Sequence, residues 1–206
     1  MKKLYFLALG LLTAVCANAQ MTVVKEAERA MKSGKSYQEV LDIVKPAMSD
    51  TETAEYVLTW FVPGKAAYKQ YDDLLALKQF NKLPEGGAEL MPKLLIYGYD
   101  DFMKAMPLDS LPDAKGKIKP KHSKEMYNLI AGHYSDYVNA GVEFFNNKDY
   151  KNAYKAWDIF GELSTAERFA KYIPKIQATP SSVKSAITRP SPPGRTTIST
   201  TLSPPS

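Results

Sequence analysis

His122 and His133 are the chain's two imidazoles. They stand eleven residues apart, too far for a metal pair on one helical turn, and no cysteine or carboxylate cluster completes a ligand set beside them. His133 precedes Asp136 by three residues, a spacing that suits a hydrogen-bonded pair on a helix. Asp72-Asp73 and Asp100-Asp101 are the adjacent carboxylates from which glycosidic chemistry could be built. Each pair sits beside basic or polar residues on an amphipathic stretch, which is the pattern of a solvated face. Gly86-Gly87 is isolated from any phosphate-cradling motif, and no Gly-x-Ser-x-Gly elbow occurs. No acid, base, nucleophile or metal set assembles, so the expectation is a protein that binds and does not catalyse, with no cofactor. The 13 tyrosines and two tryptophans fall mostly at core spacing.

The ends of the chain account for its charge. Lys2-Lys3, the apolar run Leu4 to Val15 and the small-x-small site Ala17-Asn18-Ala19 have the layout of an export signal over residues 1–19, leaving Gln20 first. The run is too short to span a bilayer comfortably. Anchoring through Cys16 as a lipoprotein is the rival reading, and bulky Val15 speaks against it. Removing the signal removes the single cysteine, and with it any disulfide or thiol site. Without Lys2, Lys3, Lys184, Arg189 and Arg195, the formal charge of +5 falls to zero, which leaves no electrostatic footprint for nucleic acid. The signal implies an exported protein, periplasmic or extracellular.

The elements that must position any site read as helices. Met21 to Met31 places Val24, Ala27, Ala30 and Met31 on one face. Ser33-Gly34-Lys35 turns the chain, and Ser36 with Glu39 forms a capping box for a second helix that Pro46 should kink or end. A third helix is expected from Asp50, with Pro63 inside it. Leu74 to Leu83 reads as an insertion and Pro84 to Gly87 as a break, and Ala88 to Met106 as the returning helix. Pro107 to His122 is a loop with the basic run Lys115, Lys117, Lys119 and Lys121. It suits an acidic partner or a membrane surface, or else is a solvated linker. Ser123 caps a long helix running into Tyr137–Asn146, and Thr165 to Ala178 starts a further helix. From Thr179 to Ser206 there is no acid and no aromatic, but much Pro, Ser and Thr, the composition of a disordered tail. A second reading treats this tail as a frameshifted translation of lost repeats, because degenerate codons for TPSSVKSAITRP can yield the amphipathic string TLVSEIRYYQA two nucleotides later; the coding DNA decides it.

In Tyr137 to Phe160, residues Tyr137, Ala140, Gly141 and Phe144 share one helical face, Asn146 to Asp149 reverses the chain, and Tyr150, Ala153, Trp157 and Phe160 share another. This spacing resembles the tetratricopeptide repeat, a helix-turn-helix unit. Trp60, Gly64 and Ala67, then Gly98, Phe102 and Ala105, fit a second unit with a long insertion, and the first two helices fit a degenerate one. Departures are Pro63, Phe160 and Thr165, the last standing where the family has proline. The resemblance implies an all-α fold over residues 20–178, with antiparallel helix hairpins stacked as a short α-solenoid. It further implies a groove for a protein or peptide partner along successive first helices. The groove positions would be Phe61, Lys65, Tyr68 and Lys69, then Val138, Val142, Phe145 and Asn146. Val142 replaces the asparagine of family members that clamp a carboxylate, so an apolar groove with a basic flank is expected. A glycan-binding accessory protein of an envelope uptake system is the alternative.

Overall fold

The computed structural model describes residues 21–113 and 115–173. These residues form an all-α fold of helices packed against one another, and no strand occurs among them. The expected tail lies outside the described residues, as do the signal and Cys16.

The first hairpin follows its local signals. Helix α1 covers residues 21–32 and α2 Tyr37–Ser49. Gly34 turns between them at φ 84°, a conformation that costs glycine little. The capping box is formed in full: Glu39 N–H donates to Ser36 Oγ, and Ser36 N–H donates to Glu39 Oε2 at 2.9 Å. Val24, Ala27 and Met31 join Tyr37, Val40, Val44 and Ala47 in the core. Pro46 sits in the last turn of α2 without stopping it before Ser49.

Helix α3, Val57–Gln79, starts seven residues later than expected. Asp50 explains the delay. Its Oδ1 accepts from the backbone N–H of Glu52 and Thr53 and from Thr53 Oγ1, offering the backbone an alternative to the helix. Thr59 Oγ1 donates to the Thr53 carbonyl at 2.6 Å and Trp60 Nε1 to the Ala54 carbonyl at 2.8 Å, which pins this turn to the new helix. α3 then passes through Pro63 and absorbs Leu74 to Gln79, so part of the expected insertion is helix. The break at Pro84 to Gly86 is present, and α4 runs Gly87–Asp109.

α3 and α4 form the central antiparallel hairpin, and two glycines set its approach. A Cβ at Gly64 would lie 2.6 Å from the Phe102 ring, and one at Gly98 2.7 Å from the Tyr68 ring and 3.2 Å from the Gly64 carbonyl. Phe102 and Ala105 are buried.

The expected long helix is two helices. α5 spans Ser123–Gly132 and α6 Asp136–Asn146, with a turn at 133–135 between them. Ser123 does not cap α5 with its own side chain. Asp109, at the end of α4, does the capping: its carboxylate accepts from the N–H of Lys121, His122 and Ser123 and from Ser123 Oγ at 2.7 Å. Burial pushes the Asp109 carboxyl up, but the four donors outweigh it and hold its pKa below the ordinary value. Because α5 depends on this contact, Asp109→Ala is expected to lower stability by about 1–3 kcal/mol, the cost of leaving charge-assisted donors unmet. Loss of amide exchange protection across α5, beyond that in α1, is the measurement that checks it.

α7, Tyr150–Thr165, returns along α6 after a turn at Lys148, φ 62°, and is capped by Asp149. Gly141 leaves the gap into which the Trp157 indole fits, and its Nε1 donates to the Val138 carbonyl at 3.3 Å. A helix is expected from Thr165 to Ala178; residues 174–178 lie outside the described residues, and before them a short 3-10 turn, Glu167–Phe169, buries Phe169 edge-on against Tyr127. α2 packs on α3 and α4 on α6, so the returning helix of one hairpin meets the first helix of the next.

Candidate docking surface

Two of the four α3 positions expected to line a groove are closed off, while Lys69 is exposed and Lys65 partly so. Phe61 and Tyr68 are buried, and α5 lies alongside with its two flanking histidines against them. The His122 ring sits 4.5 Å from Phe61, and the His133 ring stacks on Tyr68 at 5.2 Å and meets Tyr71 edge-on. Between these ends Lys65 pairs with Glu125 at 2.6 Å. Lys69 pairs with Asp73 on its own helix at 2.7 Å. The reason is geometric. Residues 61, 65, 68 and 72 share one face of α3, and α5 has the length to reach from the first to the last. The Tyr68 hydroxyl also meets that of Tyr137 on α6 at 2.6 Å inside the core, where burial pushes both hydroxyls' pKa up.

The histidines thus serve the α5 seat. His133 Nδ1 lies 2.9 Å from Asp136, the pair its spacing suggested, and Nε2 lies 3.5 Å from Asp72. Among the described residues no group of His, Cys, Asp or Glu is arranged to hold a metal ion. Asp100 pairs with Lys155 of α7 at 2.5 Å. Its neighbour Asp101 does not behave as a solvated acid: it is buried, its Oδ2 has no hydrogen-bond partner among the described residues, and burial pushes its pKa up to about 7.

The α6 half of the expected groove is open. Val142 is 45% exposed, Phe145 is 42% exposed, and Asn146 is exposed beside them, while Val138 is half-buried. Across the hairpin, Tyr150 is 51% and Tyr154 72% exposed. Tyr150 therefore leaves the repeat core in which the spacing placed it. It is the first residue of α7, next to the Asp149 cap, and is half exposed there. The rings form one chain: Tyr150 is 5.4 Å from Phe145, Phe145 is 6.0 Å from Trp157, and Trp157 is 6.2 Å from Tyr154. Trp157 and Phe160 are half-buried, and Trp60 likewise lies at the core's margin, its face covered by Lys104 at 4.1 Å. Tyr137, Phe144 and Ala153 are buried. The exposure of Tyr154 was not legible in the helical pattern, although it sits one turn from Tyr150 and three residues before Trp157.

Such a ridge offers large amphipathic side chains whose positions a hairpin fixes, the composition of binding hot spots. Among the described residues no helix is long and apolar enough to cross a membrane. No family model, curated protein or solved structure matches the chain.

Proposed function

We propose that the chain is an exported tetratricopeptide-type scaffold that holds a protein or peptide partner on the outward face of the α6–α7 hairpin. The observation that carries this reading is the exposed chain of rings Tyr150, Phe145, Trp157 and Tyr154, with Val142 beside it. The stacking order of the hairpins and the glycine-aromatic approaches at Gly64, Gly98 and Gly141 support the repeat assignment. The α5 seat on α3 moves the surface away from Lys65 and Lys69 and toward α6 and α7.

Phe145→Ser with Tyr154→Ser tests the reading. Each is exposed enough that the melting temperature should stay within a few degrees of the parent. Partner recovered from envelope extract should bind the double variant roughly 30-fold more weakly, or worse, as expected for loss of an aromatic hot spot. Unchanged affinity removes this face. The free faces of Tyr150 and Tyr154 also suit stacking on sugar rings, so thermal protection by oligosaccharides and not by peptides would replace the peptide reading with the glycan-binding one.

A further inference from the structure

The connection between α4 and α5, described except at position 114, is a basic turn that the docking surface does not use. An isolated bridge pairs Pro112 with Ile118. Inside it, Asp113 N–H donates to the Lys117 carbonyl, and Asp113 Oδ1 accepts from the N–H of Lys115 and Lys117, both at 2.9 Å. Gly116 turns at φ 72°, where other residues are strained. Asp109 fixes the far end by gripping the backbone from Lys121 to Ser123. The backbone is therefore held by two aspartates, and the side chains are left outward.

Those side chains share one character. Lys115, Lys117, Lys119, Lys121 and Lys124 are all exposed, and none of them takes part in an ion pair among the described residues. Leu111, next to the bridge, is 58% exposed and Ile118, within it, is 62% exposed. With Asp113 as its one acid, this connection together with Lys124 in the first turn of α5 carries a net +4. The rest of residues 21–173 holds sixteen lysines and arginines against twenty-one aspartates and glutamates. Residues 21–173 are thus polarised, and a negative plane would attract this turn and repel the rest of that stretch.

We infer that this turn docks the protein on a bilayer surface bearing anionic head groups, with Leu111 and Ile118 entering the interface. Charge complementarity commits the surface to an anionic partner, and the kind of side chain selects the bilayer. Five lysines on flexible stems suit a diffuse layer of phosphates, whereas recognition of a defined carboxylate favours the planar fork of arginine, which is absent here. Two unsupported aliphatic side chains among the lysines gain from an acyl boundary and lose in water.

Sedimentation of the full chain with phosphatidylcholine vesicles, with and without phosphatidylglycerol, tests this. Binding should require the anionic lipid and vanish in about 1 M salt, where the screening length falls to about 3 Å. Changing Lys115, Lys117, Lys119 and Lys121 to Gln together should weaken binding by about 600-fold, at roughly fivefold per lysine. Leu111→Ser with Ile118→Ser should weaken it about tenfold or more while keeping the salt dependence. The altered side chains hold none of the turn's backbone contacts, so matching melting temperatures will confirm folding. Failure to bind anionic vesicles overturns the inference. So does full retention by the four-lysine variant, which would assign binding to the basic residues beyond Ile173. Capture by soluble polyglutamate without vesicle binding also overturns it, in favour of an acidic polypeptide.

Discussion

Gly98→Val is expected to abolish cooperative unfolding or to lower the melting temperature by roughly 10 °C or more, given about 2–4 °C per kcal/mol for a chain of this size. The new Cβ would lie 2.7 Å from Tyr68 Cε2, 2.9 Å from Cδ2 and 3.2 Å from the Gly64 carbonyl oxygen. None of these can yield cheaply. The Tyr68 ring is fully buried, stacked between Phe102 at 5.3 Å and His133 at 5.2 Å, and its hydroxyl is tied to Tyr137. The Gly64 carbonyl belongs to the facing backbone. Overpacking of this kind costs about 1–3 kcal/mol when neighbours can shift, and more when they cannot. Gly161→Ala is the control: nothing lies within 4 Å of a Cβ there, so helix propensity should dominate and add about 0.5–1 kcal/mol. Gly141→Ala should fall between the two, because it strikes the edge of the half-buried Trp157 ring, which can swing outward at the cost of its bond to Val138. Thermal melts of the three variants give the order.

The second large effect is a pH dependence that Asp101→Asn removes. Asp101 is buried against α3 near Gly64, and its Oδ2 lacks a partner among the described residues. Burial pushes its pKa up to about 7; Lys104 and the Tyr37 hydroxyl work against this, and Asp100 adds to it. The unfolded chain releases this proton at an ordinary carboxyl pKa of about 3.9. Between that value and about 7 the folded state therefore holds a proton that the unfolded state has lost, and stability falls as pH rises through this window. At about 1.4 kcal/mol per pH unit the loss is a few kcal/mol, complete above about pH 7. The difference in unfolding free energy between Asp101→Asn and the parent should be pH-independent below about pH 4, grow through the window, and level off above about pH 7. The slope is the test, because the amide's own packing cost does not change with pH. A constant difference from pH 4 to pH 8 would mean that Asp101 ionises freely in the fold.

Local signals were legible in the sequence, and contacts between distant residues were not. The capping box at Ser36 and Glu39, the break at Pro84 to Gly86 and the α6–α7 hairpin each follow from residues within a few positions of one another. The late start of α3 was hidden because Asp50 favours a helix start by type, yet spends its carboxylate on Glu52 and Thr53. The division of α5 from α6 was hidden because Met126 and Ile130 continue an apolar stripe across the turn at 133–135. Asp109 as the cap of α5 reaches fourteen residues along the chain to Ser123, beyond any capping pattern. The largest consequence for the site came the same way: the spacing put Phe61 and Tyr68 on one face of α3, but could not show that α5 would cover it. The glycines carry a similar lesson. Gly141 stood out in the stretch whose spacing resembles a repeat, whereas the tighter approach of two backbones is at Gly64 and Gly98.

On the proposed reading a partner meets the rings of α6 and α7 and not the α3 positions. The most direct test places a photo-crosslinkable residue at Phe145 in one version of the full chain and at Lys69 in another, and exposes each to the same envelope extract. A discrete crosslinked product is expected from position 145, suppressed by Tyr154→Ser, and none from position 69. A product from position 69 with none from 145 would contradict that reading, and would return the binding surface to the α3 groove.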